Sequence, residues 1–133
     1  MSHCVYLLYC KRRNETYIGY SKNITQRIEQ HKTGGAKYTR QFHGKFEVIC
    51  FVSRFKNQKQ ALQFEYAWKH SRPIAVGLSG RIKRLHELFT IKYHRWTTKA
   101  VSLLDQHDAD FTIHWNCLDV LPNIEYLVSV QHI

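Results

Sequence analysis

Arg27 and His31 are four residues apart, so a helix containing both carries them on one face. Asn23 is a good N-cap, and Gln26 three residues later completes a capping-box pattern. Just upstream, Thr16 to Tyr20 is β-branched and aromatic, as a strand prefers. Gly19 falls within that strand, where a missing Cβ lets other groups come close. A guanidinium and an imidazole are thereby set one turn apart beside the phenol of Tyr17. Arginine's rigid donor fork suits a five-coordinate phosphate, and an imidazole accepts a proton near neutral pH. The plainer readings are a solvated arginine and one surface histidine among nine.

Glu65 is the strongest carboxylate candidate, set beside Phe64 and Trp68 on an otherwise apolar helical face. A carboxylate drawn into such a face needs a partner, because desolvating it alone is expensive. That partner is either one of the many Lys and Arg side chains or a metal ion. Tyr6 and Tyr17 lie on two successive strands that a hairpin would lay side by side. On one sheet face they could orient or deprotonate a water, provided positive charge lowers a phenol pKa that starts near 10. Ordinary packing is the alternative for each.

These side chains need a scaffold. Residues 4–10 (CVYLLYC) form a nearly unbroken apolar run, as expected of a central strand covered on both faces. Lys11 to Glu15 has the length of a hairpin loop, and Thr16 to Tyr20 returns antiparallel. A first helix runs from Asn23 to about Lys32, with Ile24 and Ile28 as its apolar stripe. After a Gly- and cation-bearing loop, Phe46 to Ser53 is a third strand. Asn57 caps a second helix, with Gln60 in the box position, that carries Glu65 and stops before Pro73. A basic third helix spans Ser79 to about Tyr93, turning Ile82, Leu85, Leu88 and Phe89 inward. Trp96 to Leu104 is either a helix or a loop, while Phe111 to Trp115 and Ile124 to Val130 read as short strands. The order argues an α+β fold with a small mixed or antiparallel three-stranded sheet flanked by helices. Residues 1–75 would be the core, and 76–133 a basic helix plus an acidic, apolar C-terminal extension on the same domain.

At 133 residues and 44% hydrophobic, the chain fits one folded domain and is not a disordered polymer. Its net charge of +10 suits a polyanion such as nucleic acid. All twenty Lys and Arg lie at or before Lys99, whereas five of the ten acidic residues follow it. Such asymmetry suggests a basic working surface with an acidic back. Lys37, Arg40, Arg54, Lys56, Arg81, Lys83 and Arg84 are the expected phosphate contacts. No helix is patterned to read base edges, so recognition by shape or branching is expected. The four cysteines lack zinc-ligand spacing and no secretory signal precedes them, consistent with reduced thiols in an intracellular protein. No apolar run approaches membrane-spanning length.

Each residue is weak alone, but together they resemble the GIY-YIG nucleases. The likeness rests on Val5-Tyr6-Leu7, Tyr17-Ile18-Gly19-Tyr20-Ser21, Asn23 with Arg27-Ile28-Glu29-Gln30-His31, Gly35-Ala36 with Thr39, and the run from Ala61 to His70. It covers roughly residues 4–72 and is strongest with the branch forming the catalytic subunit of the eukaryotic structure-specific junction endonuclease. The resemblance implies that Tyr6 is the general base or water-orienting group and that Tyr17 helps hold water and phosphate. It makes Gly19 the site of tight packing, Arg27 the stabiliser of the transition state and His31 an aid to proton transfer. Glu65 becomes the single acidic ligand of Mg²⁺ or Mn²⁺. Branched or flapped DNA would be cut for repair or recombination, leaving a 5′-phosphate and a 3′-hydroxyl; the partner is DNA, whether branched, flapped or duplex, in the nucleus or wherever DNA is processed, a viral setting included.

Three departures stand out. The first triplet is Val5-Tyr6-Leu7 where the family has Gly-Ile-Tyr, and Tyr9, its nearest competitor, should point to the opposite face. Ser21 stands where other branches carry lysine. Cys117 is the only cysteine after residue 50, so the branch's Cys/His zinc module, which binds a scaffold subunit, is not expected. Two rival readings are a fold that binds nucleic acid without turnover and a module that meets a protein partner, or itself, through the C-terminal extension.

Overall fold

The computed structural model describes residues 3–33, 45–70, 76–90, 111–115 and 129–132. Strand β1 (Cys4–Cys10) lies between β2 (Glu15–Ser21) and β3 (Glu47–Ser53), antiparallel to both. The apolar run of β1 thus occupies the covered centre of the sheet, and only Tyr9 along it is less than fully buried. The β1–β2 hairpin closes through Asn14, whose N–H donates to the Lys11 carbonyl. Asn14 has φ of 52°, a left-handed conformation that asparagine tolerates well.

The sheet exceeds the three strands expected. β4 (Thr112–Trp115) adds antiparallel to β3, and β5 (Ser129–His132) adds parallel to β4, giving the order β2-β1-β3-β4-β5. The free edge of β3 is therefore used by the C-terminal part of the chain, within one α+β architecture. A register shift between Leu7 and Leu8 lets Ile49 and Cys50 both enter the core.

Helix α2 (Gln58–His70) and helix α3 (Gly77–Thr90) cover one sheet face. There Val5, Leu7, Ile18, Val52, Ile113 and Trp115 meet Phe64 and Trp68 of α2 and Leu85, Leu88 and Phe89 of α3. Burying a side chain such as Phe64 contributes about 1.5–3 kcal/mol. The capping expected of α2 is present: Gln60 N–H donates to Asn57 Oδ1 at 2.8 Å, while Gln60 Oε1 accepts from Lys56 N–H at 2.6 Å. The two helices are clasped by polar contacts. Trp68 Nε1 donates to the Arg81 carbonyl at 2.8 Å, and Arg81 Nη1 donates to the Trp68 and Lys69 carbonyls at 3.3 Å each. Arg81 thus satisfies carbonyls at the end of α2 that have no partner within the helix.

Helix α1 (Ile24–Lys32) differs from expectation. Ile24 and Ile28 are only half-buried, and the single buried residue of α1 is His31. The helix is short and polar, and it docks through an imidazole instead of an aliphatic stripe. Pro73, the loop over 34–44, the Trp96–Leu104 stretch and Cys117 fall outside the described residues. Cys4, Cys10 and Cys50 are buried and reduced. Among the described residues, no helix is long and apolar enough to cross a membrane.

Candidate active site

Antiparallel register aligns the tyrosines. Tyr6 pairs with Gly19, and Leu8 pairs with Tyr17, so both phenols project from the sheet face opposite the α2–α3 core. Diagonal neighbours on one face lie within reach of aromatic side chains. The two ring centroids are 6.2 Å apart. Gly19 makes this possible: a Cβ there would sit 2.5 Å from Tyr6 Cζ and 2.9 Å from Tyr17 Cε1. Tyr9 instead faces the opposite side and donates its hydroxyl proton to Asn14 Oδ1 at 3.0 Å.

Ser21 joins β2 to α1. Its hydroxyl donates to the Asn23 carbonyl at 2.8 Å and accepts the Asn23 N–H at 2.9 Å. Asn23 Oδ1 then accepts the Gln26 N–H at 3.1 Å, which starts the helix. This turn fixes where Arg27 and His31 arrive, one and two turns along. Ser21 therefore has a structural task of its own at the position where other branches carry lysine.

The Tyr6 hydroxyl and His31 Nε2 lie 2.8 Å apart, a hydrogen bond between two side chains each 1% exposed. The His31 ring also meets Tyr17 edge-on at 5.3 Å and Phe46 at 6.0 Å. Burial, and then the nearby Arg27 charge, lower the His31 pKa from 6.5 to about 4. The imidazole is therefore neutral at pH 7. Burial chiefly raises the Tyr6 pKa above the usual phenol value, with Tyr17 and Glu65 adding to the rise and Arg27 opposing it. Tyr6 is a protonated phenol at rest, and its proton can be shared with a neutral neighbour.

Tyr6, Tyr17 and His31 meet directly, and Arg27 and Glu65 lie near enough to act on them electrostatically. Glu65 acts on Tyr6 electrostatically, and it forms an ion pair with Lys69, Nζ to Oε2 at 3.7 Å, one turn further along α2. Lys69 Nζ also lies 5.8 Å from the Tyr17 ring centroid, a cation over an aromatic face. Lys69 was not among the expected site residues. Its i+4 spacing from Glu65 was visible in the sequence; its contact with Tyr17 depends on how α2 crosses β2. Among the described residues, no three His, Cys, Asp or Glu side chains gather as a metal cluster. A lone, half-buried carboxylate suits a hard cation that keeps most of its waters, and does not suit zinc.

The expected basic surface divides. Arg54, Lys56 and Lys83 are exposed. Arg84, expected as a phosphate contact, is instead 3% exposed, with Nε 3.8 Å from Glu87 Oε1. Arg81 is half-buried and holds the end of α2. Both lie on the sheet-facing side of α3, where a cation reaches protein before it reaches solvent. Lys37 and Arg40 lie outside the described residues.

Two outcomes follow from this geometry. Gly19→Ala should force the tyrosine rings apart, costing about 1–3 kcal/mol as overpacking does; urea unfolding measures this. For His31, an unfolded chain binds a proton near pH 6.5 whereas the folded chain does so only at about 4. Stability is therefore complete above pH 6.5 and falls as pH drops towards 4, by roughly 3 kcal/mol at most. The difference in unfolding free energy between wild type and His31→Asn should shrink across that window, and should stay flat above it.

A family model described as the GIY-YIG catalytic domain matches residues 2–72. The chain is 47% identical over 68 residues to UPF0213 protein OB0043 of Oceanobacillus iheyensis, covering 50% of this chain and 76% of that one. It is 36% identical over 72 residues to the human structure-specific endonuclease subunit SLX1, covering 50% of this chain and 26% of that one. With the SLX1 subunit of Phaeosphaeria nodorum the identity is 42% over 74 residues, covering 52% and 20%. The chain thus spans about three quarters of the bacterial relative and about a quarter or less of these SLX1 subunits. The solution NMR structure of UPF0213 protein BH0048 from Bacillus halodurans matches at 39% identity with a TM-score of 0.33, covering 54% of this chain and 76% of that one. The matched segment holds more than half of the 133 residues, with the tyrosines, arginine, histidine and glutamate all inside it, and the chain belongs to the GIY-YIG nuclease family.

Proposed function

We propose that this domain is a divalent-metal-dependent endonuclease that hydrolyses phosphodiester bonds in branched or flapped DNA during repair or recombination. The observation that carries the reading is the 2.8 Å contact between the Tyr6 hydroxyl and His31 Nε2, formed beside Arg27, Tyr17 and Glu65. In this account neutral His31 carries its proton on Nδ1, and the Tyr6 hydroxyl donates to Nε2. The phenolic oxygen, which also hydrogen-bonds Tyr17, then offers a lone pair to orient a water.

As that water attacks phosphorus, its proton passes to the Tyr6 oxygen while the Tyr6 proton moves to His31 Nε2. Tyr6 ends as it began, and His31 becomes an imidazolium. Arg27, one cause of the depressed His31 pKa, pairs with the phosphate, so its repulsion of a proton on His31 weakens when substrate is bound. The guanidinium fork stabilises charge on the phosphoryl oxygens. The leaving 3′-oxygen takes a proton from solvent, giving a 3′-hydroxyl and a 5′-phosphate. Glu65 is the residue that would hold Mg²⁺ or Mn²⁺, whose chemistry when bound is to polarise the phosphate and acidify water. Lys69 would yield its ion pair with Glu65 to that cation.

Structure specificity is supported by the SLX1 relatives, whose names describe structure-specific endonuclease subunits. The word subunit in those names supports a protein partner for this chain; the C-terminal extension over 76–133 is where such a partner, or a second copy, would dock. Arg54, Lys56 and Lys83 are the exposed cations proposed to hold DNA. An intracellular location follows from such a substrate.

One gel tests the reading. Labelled flap, fork, Holliday junction and plain duplex are incubated with Mg²⁺, Mn²⁺ or EDTA. Cleavage of a branched substrate is expected with metal and not with EDTA. Glu65→Gln, Arg27→Ala and Tyr6→Phe should each lower kcat by about 10²-fold or more, with DNA affinity changed less than about threefold. Wild-type cutting by Glu65→Gln would remove the metal assignment. Salt-sensitive binding without cleavage under any divalent ion would mark a binding module that lacks turnover.

A further inference from the structure

A second feature lies where the β1–β2 hairpin meets the start of β3. A pocket of about 480 Å³ is lined there by Tyr9, Lys11, Arg12, Lys45, Phe46 and Glu47. Lys11, Arg12 and Lys45 are exposed. The adjacent Arg13 is neutralised by Glu15 at 3.3 Å, whereas no ion pair among the described residues engages Lys11, Arg12 or Lys45. Among the described residues of the lining, Glu47 is the only acid against three cations. Phe46 is shared: it lines this pocket and also packs edge-on against His31, at 6.0 Å. Phe46 therefore stands between the pocket and the candidate active site. The Tyr9 ring is held in place by its hydroxyl bond to Asn14.

Unpaired cations beside aromatic rings are the means by which proteins hold single-stranded nucleic acid, the cations tracking phosphates and the rings stacking bases. A paired duplex arm would meet the cations but would have no free base face to offer the rings. We propose that this pocket is a subsite for an unpaired strand of the DNA substrate, with phosphates on Lys11, Arg12 and Lys45 and a base against Phe46. This rests on the nuclease reading and extends it by giving a physical source for a preference for flapped or forked DNA. Lys11 is five residues along β1 from Tyr6, about 17 Å at strand rise. The subsite thus runs from Phe46, beside His31, to Lys11 at the hairpin end, and follows the strand away from the bond that is cut.

The test is fluorescence anisotropy in EDTA, with labelled oligo(dT) and a blunt duplex of equal length as separate probes. The triple variant Lys11→Gln/Arg12→Gln/Lys45→Gln changes only exposed side chains. It should weaken oligo(dT) binding about tenfold or more and flatten the slope of log Kd against log salt by about 2, near 0.7 per lost phosphate contact. Blunt-duplex affinity should fall by a smaller factor than oligo(dT) affinity in the triple variant, and Phe46→Leu should change it less than about threefold. Phe46→Leu should weaken oligo(dT) binding about fivefold or more, the usual scale for losing one stacked base. Unchanged oligo(dT) binding in the triple variant overturns the subsite. Equal losses for oligo(dT) and duplex also overturn it, because the pocket would then be a duplex track. Flap cleavage with Mg²⁺, run alongside, separates the two readings. A wild type that binds oligo(dT) through this pocket but cuts nothing sinks the nuclease reading alone. A wild type that cuts while the triple variant binds normally sinks the subsite alone.

Discussion

Everything in the candidate site depends on a buried hydrogen bond between a phenol and an imidazole. Tyr6 and His31 are both removed from water, and breaking their bond would take a partner from two buried polar atoms. That cost holds α1 against the sheet, because His31 is the buried contact of an otherwise polar helix. The burial that this docking imposes is also the chief reason His31 is neutral and Tyr6 protonated. Docking and proton handling are one interaction, so selection on either acts on the other.

Charge around this pair is arranged asymmetrically. Arg27 lowers the proton affinity of both groups, whereas Glu65 and Tyr17 raise that of Tyr6. A phosphate arriving at Arg27 changes the balance in the direction that lets His31 take a proton. Lys69 bridges Glu65 and the Tyr17 ring, filling the space between the two halves of the site with positive charge. In the proposed reading these cations meet phosphate oxygens, and Glu65 is the carboxylate that would hold a hard metal ion.

Local signals were the most legible in the sequence. Both asparagine caps, the continuous apolar run of β1 and the face alternation that pairs Tyr6 with Gly19 rest on contacts within a few residues or on strand parity. Tertiary choices were less so. Nothing in the spacing of α1 distinguishes a helix docked by Ile24 and Ile28 from one docked by His31, because imidazole counts as polar until it has a partner. Arg84 looked like a surface cation, yet packing between α3 and the sheet buries it. β4 and β5 have four residues each and pair with distant segments, so their places at the sheet edge follow from the free edge of β3 and not from local pattern. The cationic pocket at the hairpin end has no local signature, because its lining comes from the end of β1, the turn and the start of β3.

The central claim is a neutral His31 whose Nε2 accepts the Tyr6 proton. Nitrogen-15 NMR of the histidine rings between pH 3.5 and 8 reads both the charge and the tautomer. The account predicts that His31 is neutral at pH 7 with its proton on Nδ1, and that it titrates with a midpoint of about 4. A midpoint at or above 6.5, or a proton fixed on Nε2 at neutral pH, would contradict it.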